Sequence, residues 1–328
     1  MCTAITYQTH NFYFGRTLDY DEVYPSEITI TPRKFPLPFR SQPTIEEHFA
    51  ILGMAYVLQD YPLYFDACNE KGLAMAGLNF VGFANYFPSV PGKDNIAQFE
   101  LIPWILSQCS TVKEARTLLS RINLTTESFH PSLPPAQLHW IIADRTEAIT
   151  VESLKTGIQV YDNSIGVLTN NPPFDDQLFQ LKNYMHLSAS EPHNHFSPNI
   201  DLQPYSRGMG AIGLPGDLSS QSRFVRAAFN KLNAVSDHTE AASVSQFFHI
   251  LGTVEQTKGC CRLGDNQYET TLYTSCCNVS KGIYYYTTYE NRQITAIHMR
   301  NDHIKQRDLI RYPLIREQMI HHYNTPAE

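Results

Sequence analysis

MCTAITYQTHNFYFGRTLDYDE (residues 1–22) decides how the rest of the chain is read. Residues 3–9 and 12–18 are rich in β-branched and aromatic side chains, and the short HNF stretch between them suits a turn, so the pattern predicts a hairpin. A hairpin returns its far end to the chain start, which brings Arg16 and Asp19 towards Cys2. If Met1 is removed, Cys2 becomes the first residue, with its own α-amine a few bonds from its sulfur. A neutral α-amine can take the thiol proton, the thiolate can attack a carbonyl, and the resulting ammonium can return the proton to a leaving amine. No histidine is required. The small neighbours Thr3 and Ala4 leave room, and a small residue at position 2 generally permits methionine removal. A nearby arginine favours thiolate, and an aspartate can bind an ammonium through a charge-assisted hydrogen bond. The plain alternatives are a cysteine that merely stands second and a surface ion pair at a hairpin end. This spacing alone does not separate them.

The 328 residues suffice for a sizeable core. No Pro/Gly/Ser-rich linker, tandem repeat or low-complexity tract divides the chain, so residues 1–328 are expected to form a single catalytic domain. The net charge of -7 gives no electrostatic case for nucleic acid. It also argues against simple attraction to anionic membranes. The longest apolar run, residues 49–58, is about half the ~20 residues a membrane span needs. The amino terminus lacks a basic stretch followed by an apolar one, so no secretory signal is expected. The 7 cysteines (2, 68, 109, 260, 261, 276 and 277) are odd in number and do not resemble a disulfide scaffold. A reducing, cytoplasmic setting is the simplest fit.

Beyond the hairpin, strand-like runs are expected at residues 28–31, 49–56 and 72–80, with NEKG (69–72) as a turn. Apolar residues at helical spacing mark residues 96–109, with Pro103 as an expected kink. Thr111 and Glu114 signal a capping box for the next helix. Strands are expected again in LHWIIADR, AITVESL, IQVYD and GVLT, then a helix over 175–185. A long polar loop spans 188–217, followed by helices near 222–235 and 240–254. The strands YETTLYTSCCNVS, GIYYYTTYE and QITAIHM close the chain. Sheets packed face to face with helices outside would bury these strands.

Several apparent motifs are set aside. Gly208, Gly210 and Gly213 spell GxGxxG, but no apolar strand precedes them and Pro215 interrupts the helix a dinucleotide site needs. Cys260–Cys261 and Cys276–Cys277 lack the spacing of a zinc site, and adjacent side chains on a strand point to opposite faces. His139, on an apparent strand, reads as structural, and His186, His193 and His195 as solvated loop residues. No cofactor and no metal are expected. NLT at Asn123 and NVS at Asn278 match a glycosylation pattern that has no meaning without secretion.

The opening MCT, FGRTLD, NEKGLAMAGLNF, GVLTNNPPFD, GLPGDLSSQSRF and YTSCCNVSKGIYYYTTYEN, in this order and across nearly the whole chain, resemble the choloylglycine hydrolase family. The likeness is to its bacterial conjugated bile salt hydrolases, with penicillin V acylases as close relatives. It implies an α+β fold of N-terminal nucleophile hydrolase type: a four-layer αββα sandwich of two stacked, largely antiparallel sheets flanked by helices. It also implies a homotetramer inside the cell, hydrolysing glycine- or taurine-conjugated bile salts through a thioester. Carried over by position, Cys2 is the nucleophile and Asp19 holds its α-amine. Asn79 and Asn170 are candidate donors to the oxyanion, and Arg16 and Arg223 tune the charges. Tyr24, Met54, Phe65, Phe80 and Leu133 are expected around an apolar steroid cleft, with Tyr64, Phe83, Tyr86 and Phe87 as further aromatics nearby. Arg207, in an SRG sequence, is expected to meet the terminal carboxylate of a glycine conjugate. Asn79, where penicillin V acylases often have tyrosine, favours bile salts. A penicillin V acylase or another acyl-amide hydrolase, and an inactive steroid- or lipid-binding protein, are the alternatives.

Overall fold

The computed structural model describes residues 1–324. Its first runs are β1 (Cys2–Gln8), β2 (Phe12–Tyr20), β3 (Glu27–Thr31), β4 (Ile51–Leu58), β5 (Tyr61–Asn69) and β6 (Ala74–Asn79). A short parallel pair, β7 (Asp94–Ala97) and β8 (Ile122–Thr125), brackets α1 (Leu101–Gln108) and α2 (Val112–Leu119). Then come β9 (Leu138–Ala143), β10 (Ala148–Leu154), β11 (Gly157–Asp162) and β12 (Val167–Leu168). Three helices follow: α3 (Phe174–Leu181), α4 (Ser220–Asn233) and α5 (Glu240–Gly252). The chain continues with β13 (Arg262–Gly264), β14 (Gln267–Tyr268), β15 (Thr270–Asn278), β16 (Ile283–Thr288), β17 (Thr295–His298) and β18 (Ile310–Pro313).

One sheet runs β12-β1-β2-β15-β16-β17, and the other runs β11-β10-β9-β6-β5-β4-β3-β18. Neighbours within both are antiparallel. One apolar core joins Ala4 and Phe14 of the first sheet to Leu52, Ala76 and Ile141 of the second, and to Phe224 and Phe247 of α4 and α5. A second core packs Ala67, Met75 and Ile142 from the other face of the larger sheet on Trp104, Ile105 and Ala115 of α1 and α2. The layers are therefore helices, sheet, sheet, helices, as expected for the fold class. Buried strands read as near-continuous apolar runs because both of their faces are covered.

The local chemistry explains most element ends. Thr111 caps α2 by accepting from the Glu114 N–H at 3.2 Å. The Glu114 carboxylate reaches back to the Ser110 N–H at 2.6 Å, one residue before the expected partner. The expected helix over 96–109 begins only at Leu101, because Ile96 and Ala97 are spent in β7. Pro103 therefore sits in the first turn of α1, where its missing N–H costs nothing, and it starts the helix rather than kinking it. β5 and β18 were not legible as strands. Pro62 and Pro313 argue against them locally, yet β5 pairs on both sides and Pro313 lies on a sheet edge.

β2 and β15 approach so closely that a Cβ on Gly15 would lie 2.1 Å from the Ser275 carbonyl oxygen. Backbone on both sides cannot yield as a flexible side chain would. Gly15→Ala is expected to lower stability by about 1–3 kcal/mol, seen as a lower urea midpoint at unchanged slope.

Candidate active site

The hairpin expected at the chain start forms with Cys2 opposite Leu18 and Ala4 opposite Arg16. Cys2 belongs to the core between the layers, with only 2% of the residue exposed. Its backbone nitrogen donates to Asn170 Oδ1 at 2.8 Å. Arg223, fully buried on α4, donates from Nη1 to the Cys2 carbonyl and to Thr3 Oγ1 at 2.7 Å, and from Nη2 to Asn170 Oδ1 at 2.7 Å. Asn170 Nδ2 in turn donates to the Asn79 carbonyl at 2.8 Å. One amide side chain thus joins the first strand, α4 and the end of β6. The Asn79 side chain makes no hydrogen bond of its own among the described residues and lines the adjoining cavity.

Arg16 projects from β2 into the space between the sheets. Nε donates to the Thr17 carbonyl at 3.2 Å, and Nη1 to the carbonyls of Phe65, at 3.2 Å, and Gly77. Nη2 is buried with no hydrogen-bond partner among the described residues. Burial alone would lower the Arg16 pKa, but Cys2, Tyr273, Asp66 and Asp19 together raise it, so it is a permanent cation. Burial pushes the Asp19 carboxyl above the usual range, while Arg223 and the chain-terminal ammonium pull it down. Asp19 accepts from Thr271 Oγ1 at 2.6 Å, Thr17 Oγ1 at 3.2 Å and Gln256 Nε2 at 3.4 Å. Its carboxylate is not hydrogen-bonded to the Cys2 nitrogen in this Met1-bearing chain. That nitrogen, still a peptide N–H with one proton, faces Asn170 instead.

Met1 occupies the site. Its ammonium donates to the Asp19 carbonyl at 2.6 Å and pairs with the Glu269 carboxylate. Burial lowers this ammonium from its ordinary value of 8.0, against opposing pulls from Cys2 and Asp19. Beside it opens a cavity of about 300 Å³ lined by Met1, Tyr20, Asn79, Asn170, Leu263 and Glu269, among others. A larger groove of about 540 Å³ near Lys71, Lys113 and Asp144 lies away from the thiol and holds no comparable constellation. Among the described residues, no group of three or more His, Cys, Asp or Glu side chains could hold a metal ion.

The expected pocket residues separate into three groups. Tyr24 and Phe65 are half-buried neighbours, with ring centroids 6.0 Å apart, in an aromatic cluster that also contains Tyr20 and Tyr56. Met54 and Phe80, also expected around the cleft, are fully buried. Met54 belongs to the core between the sheets, and Phe80 stacks on His139. Leu133 and Arg207 lie in loops and do not line the cavity, and Arg207 is exposed. Sequence reasoning missed Glu269, hidden in a strand-like run. It also missed Asp66, a buried carboxylate held by Tyr273, Tyr284 and Ser275 hydroxyls. An acidic residue within an otherwise apolar strand was the only available signal.

A sequence profile of linear amide C–N hydrolases, choloylglycine hydrolase family, matches residues 2–312. The chain belongs to the choloylglycine hydrolase family. It is 54% identical over 324 residues to a bile salt hydrolase/transferase of Lactiplantibacillus plantarum, covering 99% of this chain and 100% of that one. It is 35% identical to a bile salt hydrolase/transferase of Clostridium perfringens, covering 99% and 100%. A solved mutant of the conjugated bile acid hydrolase of Clostridium perfringens superposes with a TM-score of 0.91 at 34% identity, covering 99% of this chain and 100% of that chain. The penicillin V acylase of Agrobacterium tumefaciens shares the fold, with a TM-score of 0.75 at 18% identity over 94% and 90% of the two chains. This chain is accordingly an N-terminal nucleophile hydrolase in fold and a linear amide hydrolase by family. No helix among the described residues is long and apolar enough to cross a membrane.

The planar fork of Arg223 serves three acceptors on Cys2, Thr3 and Asn170, which a single ammonium cannot reproduce. Arg223→Lys is expected to lower amide turnover at least about tenfold while far-ultraviolet circular dichroism stays native. Equal turnover in the two proteins would remove Arg223 from the site's design.

Proposed function

We propose that this enzyme hydrolyses the amide bond of glycine- or taurine-conjugated bile salts, with Cys2 as nucleophile once Met1 is gone. The observation that carries the reading is the Cys2 nitrogen, 2.8 Å from Asn170 Oδ1, which Arg223 also holds and which lines a cavity with Met1 and Asn79. The relatives named as bile salt and conjugated bile acid hydrolases supply the substrate class.

Removal of Met1 converts the Cys2 amide nitrogen into an α-amine and vacates part of the cavity. The neutral amine takes the Sγ proton, and Sγ bonds to the substrate carbonyl carbon. Negative charge gathers on the carbonyl oxygen, where Asn79 Nδ2 and the second Asn170 Nδ2 hydrogen are the donors, each worth roughly 3 kcal/mol. The ammonium passes its proton to the leaving nitrogen, the C–N bond breaks, and glycine or taurine departs. Water, deprotonated by the same amine, then attacks the thioester, and the sulfur leaves with that proton. Arg16, buried and permanently charged, supplies a fixed positive charge to the site, and Asp19 balances the ammonium. Tyr24 and Phe65 offer apolar surface to the steroid. The whole chain acts as one catalytic domain, in the cytoplasm, as a homotetramer.

A preference for glycine conjugates rests on the Ser206–Arg207 pair. The Arg207 guanidinium is exposed and free of hydrogen-bond partners among the described residues, and so is open to a carboxylate. The test incubates purified protein with glycocholate, taurocholate and penicillin V in parallel, reading released products, intact mass and native mass from one preparation. The expected outcome is rapid release of glycine, slower release of taurine, little penicillin cleavage, a mature Cys2 terminus and a four-chain assembly. Cys2→Ser and Met1-retaining protein are expected to lose nearly all turnover. Predominant penicillin cleavage would reassign the substrate, and steroid binding without release would reassign the protein as a binder.

The pH profile gives a second test. The mature α-amine lies one residue deeper than the Met1 ammonium, which burial already lowers. A lowered ammonium pKa keeps the base neutral at lower pH. The acid limb of kcat/KM is therefore expected to rise with pH through a midpoint below 8.0, the ordinary amine value. A midpoint above 8.0 would contradict this account of the base.

A further inference from the structure

His139 and Glu152 are both fully buried, on adjacent strands β9 and β10. His139 Nδ1 lies 3.0 Å from Glu152 Oε1, and Nε2 lies 2.9 Å from the Thr169 carbonyl. A carbonyl oxygen only accepts, so Nε2 carries a proton and donates it. The contact to Glu152 holds a further proton between the two side chains. Glu152 Oε1 also accepts the Phe174 N–H at 3.0 Å, at the start of α3. The face of the imidazole stacks on the Phe80 ring, with centroids 4.3 Å apart and planes 7° from parallel.

Two of the three groups this imidazole touches are each one residue from a proposed oxyanion donor: Thr169 precedes Asn170, and Phe80 follows Asn79. Those asparagines are themselves joined through Asn170 Nδ2 and the Asn79 carbonyl at 2.8 Å. The ring therefore closes a loop of contacts running from Asn79 to Phe80, His139, Thr169, Asn170 and back to Asn79. A buried ionisable pair is a costly way to fill a core. A leucine in its place would leave the Thr169 carbonyl unpaired and the ring of Phe80 without its flat partner. Ser220 and Gln177 also hold the Thr169–Asn170 segment, by hydrogen bonds of 2.8 Å from Asn170 N–H to Ser220 Oγ and 3.3 Å from Gln177 Nε2 to Thr169 Oγ1. On the Phe80 side, Asn171 Nδ2 donates to the Val81 carbonyl at 2.8 Å, so the imidazole adds a stacked ring contact to a segment that hydrogen bonds already tie down.

We propose that the His139–Glu152 pair is a positioning device that sets the spacing of Asn79 and Asn170 for the developing oxyanion. It touches neither substrate nor the thiol. The proposal rests on Asn79 and Asn170 being the oxyanion donors. Because misplacement of about 1 Å can cost up to roughly 100-fold in rate, loss of the pair is felt in kcat.

The test uses the mature enzyme and five variants: His139→Phe, which keeps the stack but removes both ring nitrogens; His139→Gln, which keeps one donor towards Thr169; Glu152→Gln, which keeps an acceptor for Phe174; Asn170→Ala; and the Asn170→Ala, His139→Gln double variant. Steady-state hydrolysis, Cys2 alkylation by iodoacetamide and thermal unfolding are measured on each. The expected result for His139→Phe is a kcat fall of about 10- to 100-fold, with KM and alkylation rate near the parent values. His139→Gln and Glu152→Gln should fall less, which also guards against one variant failing to fold. In an Asn170→Ala background the factor due to His139→Gln should shrink towards one, since a misplaced donor that is already absent costs nothing more.

A full kcat in folded His139→Phe would overturn the proposal. So would alkylation falling in step with turnover, or His139 and Asn170 effects that simply multiply. If Asn170→Ala itself leaves kcat unchanged, the oxyanion assignment fails first and this proposal fails with it. If Asn170→Ala costs turnover and the His139 variants do not, only the positioning role is lost.

Discussion

A guanidinium sealed between two β-sheets sets the terms for the rest of this molecule. Arg16 leaves the smaller sheet and ends on the carbonyls of Phe65 and Gly77 in the larger one. A charge in that position is tolerable only with dense compensation. The larger sheet supplies it twice. A β-bulge at Phe65, where Met54 pairs with Asp66 but Ala55 pairs with Tyr64, turns the Phe65 carbonyl towards the arginine. The carboxylate of Asp66, next in sequence, adds opposing charge. Burial pushes the Asp66 carboxyl up, and Arg16 pulls it back. Three hydroxyls from the smaller sheet, on Tyr273, Ser275 and Tyr284, complete its hydrogen bonds. The sheets are thus registered by a polar bolt inside an apolar interface, at the level of the thiol.

The second fixed point is Asn170, which follows β12 and faces both Cys2 and Asn79. Its two functional halves are used separately. The oxygen gathers donors from Cys2 and Arg223, and the nitrogen reaches the end of β6. In the proposed mechanism, a group with this division of labour links the nucleophile to the oxyanion donors. Its contacts join β1, the end of β6, the segment after β12 and α4, which lie far apart in sequence. Each element contributes one atom set that no local segment can replace.

The N-terminal hairpin was legible because a period-two pattern and a tight turn are local signals. The helices at Ser220–Asn233 and Glu240–Gly252 were legible because their apolar stripes repeat at helical spacing. Less came through where long-range pairing overrules local preference. Pro62 disguises β5, and Ile96 and Ala97 look helical until β8 recruits them into a ladder. The six proposed catalytic positions were nameable from residue type and family likeness. Their contacts were not, since no spacing rule states that Asn170 rather than Asp19 faces the Cys2 nitrogen. Met54 and Phe80 illustrate a different limit: apolar residues suited to a cleft and to a core look alike until burial is known. His139 was readable as structural, but what it supports became visible only beside Thr169 and Phe80.

The setting of the chain-terminal ammonium has a practical consequence for anyone producing the protein. The Met1 ammonium is enclosed by the Asp19 carbonyl and Glu269, and the strand behind it is hydrogen-bonded on both sides. An affinity tag or fusion partner placed ahead of Met1 would have to thread through that enclosure, and would leave Cys2 without a free amine. The opposite end imposes no such condition. After β18, residues 315–324 are exposed and distant in sequence from every proposed catalytic group. Purification handles, surface immobilisation and display formats suit that end, and under the proposed mechanism an expression host must be able to excise Met1.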